Sequence, residues 1–146
     1  MKSNAQGGFL ISQIRQVSGR IFEKLLLRAG VDEFNGAQGR ILYVLWQQDN
    51  IPIVELSKKT GLAKTTLTGM LDRMENAGLI MRIFDKSDRR QILIALTEKA
   101  RALNNEYDKI SREMNEIFYT GFSDEDIIKF ENTLQRILKN LNESEN

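Results

Sequence analysis

The sequence predicts a mainly α protein (α+β) with one small β-hairpin. Three observations carry that expectation. Apolar residues recur three and four positions apart over most of the 146 residues, the spacing of amphipathic helices. Only LIMRIF (79–84) and QILIAL (91–96) are short runs of apolar and β-branched residues instead, and such runs fit strands. Between them stands DKSDRR (85–90), in which five of six residues are charged, in a chain whose net charge is only +1.

The elements follow in order. From Phe9 to Ala29, Leu10, Ile14, Val17, Ile21 and Leu25 mark one helical face, and Gly30 stops it. Ala37, Ile41, Leu42 and Leu45 mark a second helix that ends in the turn-like QQDNIP. Pro52, the only proline, is placed to open a short third helix that ends at Gly61, with Ile53, Leu56 and Leu62 as its apolar contacts. A fourth helix is expected from Lys64 to Ala77, with Leu67, Met70, Leu71 and Met74 inward and Gly78 as its left-handed cap. After the hairpin, Ala100, Leu103, Tyr107, Ile110, Met114 and Ile117 restore helical spacing. TGFSDED breaks it, and Ser123 with Asp126 reads as a capping box. Ile127, Phe130, Leu134, Ile137 and Leu141 continue the alternation. These two seams are heptad-like. They describe either a helical hairpin within the chain or, more sharply, a dimer interface made by the terminal helices.

Composition narrows the function classes. With 41% hydrophobic and 28% charged residues, the chain has globular composition. No apolar run approaches the roughly 18 residues of a membrane span. MKSNAQGGF lacks a secretory pattern, so a cytoplasmic protein with no membrane partner is expected. No cysteine and no histidine are present, which closes thiol chemistry and removes the usual general base and metal ligand. Asp124, Glu125 and Asp126 sit where acidic residues favour a helix start. The expectation is therefore a non-enzyme without metal or cofactor. Residues 53–90 hold eight basic side chains against five acidic ones, a local excess of +3, which suits an anion-binding module.

The order helix, helix, turn, helix, strand, charged loop, strand is that of a winged helix-turn-helix with a two-stranded wing. It divides the chain into a DNA-binding unit, 35–97, and a helical dimerisation region, 1–34 with 98–146. The outward residues of the fourth helix are Lys64, Thr65, Thr66, Thr68, Gly69 and Arg73. Small hydroxyls allow close approach to base edges or phosphates, and Gly69 removes bulk where the groove floor comes nearest. Capping and solvation would select the same residue types. In the wing, Arg90 is a candidate for the minor groove, Asp88 for holding its guanidinium extended, Arg89 for a phosphate and Asp85 for bracing the loop. Taken alone, that cluster is also what a solvated turn with a surface ion pair looks like.

The segments ELSKKTGLAKTTLTGMLDRMENAGLIMR and DKSDRRQILIALTEKA resemble the MarR family of transcriptional regulators, and GGFLISQIRQVSGRIFEKLL and AQGRILYVLW are similar to its first two helices. The resemblance implies an obligate homodimer, triangular in outline, joined by its terminal helices and reading a pseudo-palindromic double-stranded operator. It implies Asp88 and Arg90 as the wing pair, and Thr65, Thr66, Thr68 and Arg73 on the reading helix. Ala100 stands where the family usually has glycine. Peroxide sensing through a thiol and zinc sensing through histidines are excluded by composition. A repressor released by a small aromatic or phenolic ligand is the remaining mode, with Phe9, Phe22, Tyr43, Trp46 and Tyr107 as candidate pocket lining; aromatics at helical spacing equally serve as core. The competing reading is a winged-helix protein-interaction module with incidental DNA binding.

Overall fold

The computed structural model describes residues 2–88 and 90–146. After a single 3-10 turn at Lys2–Asn4, α1 spans Gly7–Arg28 and α2 Gly36–Gln47. Then come β1 (Ile51–Pro52), α3 (Ile53–Thr60), α4 (Lys64–Asn76), β2 (Ile80–Phe84), β3 (Ile92–Leu96), α5 (Glu98–Ala102), α6 (Asn104–Phe118) and α7 (Asp124–Glu145). The fold is the mainly helical winged helix-turn-helix that the sequence predicts.

Local chemistry sets most boundaries. Gly30, Gly61 and Gly78 hold φ near +75° within two residues of the ends of α1, α3 and α4, a region open to glycine without steric cost. Asn35 and Gln38 form a reciprocal capping box at α2, with the Gln38 N–H donating to Asn35 Oδ1 at 2.8 Å. The expected box at Ser123 and Asp126 starts α7.

Two elements differ from expectation. The wing hairpin belongs to a three-stranded sheet of order β1-β3-β2, because Ile51 and Pro52 pair antiparallel with Ile94 and Leu93. Pro52 is therefore the extended residue before α3 (ψ 154°) and not its first helical residue. Its missing N–H is harmless on this short edge strand. The single helix expected after the hairpin is divided at Leu103, whose N–H donates to Ala100 three residues back. That tightened turn separates α5 from α6.

The core sits where α2, α3, α4 and the inner face of the sheet meet. Ile41, Leu42, Leu45, Leu56, Leu67, Leu71 and Met74 are fully buried, each contributing about 1.5–3 kcal/mol of transfer free energy. The C-terminal half of α1 joins this core through Leu25 and Leu26, while Leu10, Ile14 and Val17 stay exposed. α7 has no buried residue at all. Ile127, Phe130 and Leu134 of its apolar stripe are half-buried, while Ile137 and Leu141 further along stay exposed.

Candidate nucleic-acid interface

The helix-turn-helix is closed by side chains of α3. Ser57 Oγ donates to the Leu62 carbonyl at 2.6 Å, and Thr60 Oγ1 donates to Leu56 and accepts from the Leu62 N–H. These bonds hold the turn that leads from α3 into α4. Leu67, Leu71 and Met74 anchor α4 inward, with Met70 half-buried. Lys64, Thr65, Thr66, Thr68 and Arg73 are exposed. The Thr68 hydroxyl is turned back onto the Lys64 carbonyl at 2.8 Å, which leaves its methyl group outward. Ala63 precedes α4 without any side-chain cap. The first N–H groups of the helix are therefore available to an anion such as a phosphate.

Gly69 is the least bulky point of this face: a Cβ added there would meet only Arg73 Nη1, at 4.0 Å. Gly69→Ala is expected to leave the fold intact and raise stability by up to about 1 kcal/mol through helix propensity. The same methyl should weaken DNA binding severalfold, so thermal unfolding and DNA titration should move in opposite directions. Unchanged DNA affinity would remove Gly69 from the interface.

The charged loop is ordered by its own acids. The Asp85 N–H donates to the Gln91 carbonyl and closes the hairpin. Asp85 Oδ1 accepts from the Ser87 hydroxyl and N–H at 2.7 and 2.9 Å, and the Ser87 hydroxyl is the chief reason its carboxyl is held below the ordinary carboxylate range. Asp88 Oδ1 accepts from the Arg90 backbone N–H at 3.1 Å and from Arg90 Nε at 3.3 Å. The Arg90 side chain remains 93% exposed. Arg89 lies outside the described residues.

Arg82 is a participant the sequence reading passed over. From β2 it bonds Asp72 at 2.8 Å and Glu75 at 2.7 Å on α4, and so ties the wing to the exposed helix. Its only sequence signal is a lone charge inside an apolar strand. Asp49 is a second such residue. It accepts the Leu96 N–H at 2.9 Å and pairs with Arg101 at 3.1 Å, joining the end of α2 to β3 and α5. Arg82→Gln is expected to lower stability by about 1 kcal/mol or less, since these are partly exposed pairs. It should also speed amide hydrogen exchange in β2. Exchange unchanged from wild type would show that the pairs do not hold the wing.

A family model described as MarR family matches residues 34–92, the segment that runs from α2 through the helix-turn-helix, β2 and the charged loop to the first residue of β3. Residues 34–92 are a MarR-family domain. Over 100 residues it is 32% identical to the HTH-type transcriptional regulator TtmR of Methylorubrum extorquens (strain PA1), covering 68% of this chain and 50% of that protein. The chain spans half to two thirds of the length of such curated relatives. Among solved structures, reduced AbfR bound to DNA matches with a TM-score of 0.72 at 25% identity, over 93% of this chain and 92% of that one. CouR from Rhodococcus jostii RHA1, bound to p-coumaroyl-CoA, matches with a TM-score of 0.77 at 27% identity, over 89% and 90%.

Around this MarR-family domain, four of the five candidate pocket aromatics come together. Tyr107 stands at the centre, with ring centroids 5.2 Å from Trp46 and 5.9 Å from both Phe22 and Tyr43. Phe34 completes the group. These rings pack on one another, and Trp46 Nε1 donates to the carbonyl of the buried Ala100 at 3.0 Å. Burial raises the Tyr107 phenol above its ordinary pKa. Phe9 stands apart, 69% exposed near the start of α1. The open space lies nearby: a cleft of about 680 Å³ lined by Ile11, Ile14, Phe118, Phe130 and Leu134, by Arg15 and Arg40, and by Thr66 and Met70 of α4.

Proposed function

We propose that the protein is a cytoplasmic, homodimeric transcriptional regulator that binds double-stranded DNA at a pseudo-palindromic operator. Residues 35–97 form the reading unit, and 1–34 with 98–146 join the two copies. The observation that carries this reading is the pairing of an uncapped, hydroxyl-rich helix with a wing tip that presents Arg90 on Asp88. Thr65, Thr68 and Gly69 face the major groove, with Thr66 and Arg73 at its margin. Lys64 and the first N–H groups of α4 hold a phosphate. Arg90 enters the neighbouring minor groove, where a narrow A·T-rich segment attracts a guanidinium. AbfR, solved on DNA, supports this assignment by similarity of fold.

The protein acts as a repressor that a small aromatic or phenolic ligand releases. The cleft between α1, α4 and α7 supplies arginines for a ligand's anionic group and apolar side chains for its ring. Thr66 and Met70 belong to α4, so an occupant there bears directly on the reading helix. CouR, bound to an aromatic acyl thioester, supports a ligand-responsive mode.

The test is fluorescence anisotropy with a duplex selected by the protein from a random-sequence pool, beside a scrambled duplex, at two salt concentrations. Tight binding that prefers the selected duplex and weakens with salt is expected. The half-exposed apolar residues Met81 and Ile83 on the outer face of the sheet favour the protein-interaction alternative. Absence of salt-dependent DNA binding would decide for it.

A further inference from the structure

The hairpin that carries the wing is apolar further out than its packing requires. The Asp85 N–H bonds to the Gln91 carbonyl and the Thr97 N–H to the Leu79 carbonyl. With the register Phe84↔Ile92 and Arg82↔Ile94, these two pairs fall between the hydrogen-bonded ones, where cross-strand side chains approach closest. Strand alternation puts Ile80, Arg82 and Phe84 on one face with Leu96, Ile94 and Ile92. Near the core, Ile80, Ile94 and Leu96 are buried. At the middle, Arg82 reaches Asp72 and Glu75 of α4, so this is the face turned toward the reading helix. One step further out no described residue covers it fully: Phe84 is 72% exposed and Ile92 42%.

Surfaces that bind DNA are more polar than protein–protein interfaces, and the surroundings of this pair are charged. In the loop, exposed Lys86 and Arg90 stand beside Asp85 and Asp88, whose carboxylates are already engaged by Ser87 and Arg90. An aromatic–aliphatic pair at the base of that loop calls for apolar surface on the ligand. With α4 in the major groove and the wing in the adjacent minor groove, one sugar–phosphate strand runs through the gap between them. Its phosphates meet the cations, and its deoxyriboses turn their C–H faces to the minor-groove wall.

We propose that Phe84 and Ile92 form an apolar seat for the deoxyriboses of that strand. The proposal rests on the DNA-binding reading above and adds a contact that involves neither a base edge nor a phosphate. Such a contact releases no counterions, so its contribution is independent of salt. It carries no direct base readout and serves to set how deeply the wing, and with it Arg90, sits in the minor groove.

The test uses the full chain and a duplex that the wild-type protein selects from a random-sequence pool. In the double variant Phe84→Thr with Ile92→Thr, both replacements are strand-compatible, and the exposed position of the pair leaves the core untouched. Affinity should fall about tenfold at every salt concentration, with the slope of log affinity against log salt unchanged. Phe84→Leu, which stays apolar, should bind within about twofold of wild type. Hydroxyl-radical cleavage reports deoxyribose exposure, and the double variant should lose protection at the sugars flanking each half-site while keeping it elsewhere.

Binding of the double variant within twofold of wild type, with an unchanged cleavage pattern, would overturn the proposal and leave the pair to a protein partner. A loss of affinity that also flattens the salt slope would overturn it too, because phosphate contacts would then have gone with the wing. If the wild-type chain selects no duplex, the DNA-binding reading itself falls. Selection by the wild type with an indifferent double variant removes the sugar contact alone.

Discussion

Ile137→Asp combined with Leu141→Asp is expected to convert the protein to monomers and to reduce operator binding at least a hundredfold. α7 is 22 residues long with an amphipathic seam, yet it buries no residue within one chain. Ile137, Leu138 and Leu141 are all exposed, as are Phe9, Leu10 and Ile14 at the start of α1. Helices in proteins draw most of their stability from packing an apolar face, and a second copy of these terminal helices is the cover proposed for this one. Placing two carboxylates in that seam buries charge without partners, which costs several kcal/mol. A monomer can engage only one half-site and forfeits the effective concentration that joins the two. Sedimentation and anisotropy on the same preparation check both steps. A variant that remains dimeric and binds normally would place the dimer interface elsewhere.

Arg90→Ala is expected to weaken operator binding by about 1–3 kcal/mol, roughly 5- to 150-fold. The Arg90 side chain pairs with Asp88 while 93% exposed, so its removal leaves no hole in the fold and should hardly change thermal stability. The backbone bond from the Arg90 N–H to Asp88 survives the substitution, so the loop keeps its shape. Arg90→Lys should recover only part of the loss, since an ammonium lacks the planar fork that Asp88 and a groove can address together. Titration at matched salt separates the outcomes. Wild-type affinity in Arg90→Ala would show that the wing tip does not enter the groove.

The legible part of the site was the part encoded locally. Glycines at 30, 61 and 78 fit turns at φ near +75°, and Asp88 two residues before Arg90 allowed their pairing. Ser123 and Asp126 announced a helix start. Within two to four residues, backbone geometry leaves few arrangements. The aromatic set was less legible. The sequence offered Phe22, Tyr43, Trp46 and Tyr107 either as pocket lining or as core, because ring-on-ring packing and an open cleft call for the same residues. Only the placement of α1 and α6 beside α2 distinguishes them.

By itself the sequence determined the order of the helices and most of their ends, the strands of the wing and the charge of its loop. Periodicity, caps and turn residues act over one or two turns of chain. The tertiary structure alone decided which residues meet across long separations: Arg82 with Asp72 and Glu75, Asp49 with Leu96 and Arg101, Trp46 with Ala100, and Ile51 with Ile94. It also decided that Phe84 and Ile92, apolar strand residues in any local reading, stay exposed. A side chain's type is written in the sequence, whereas its burial depends on what the rest of the chain brings to that face.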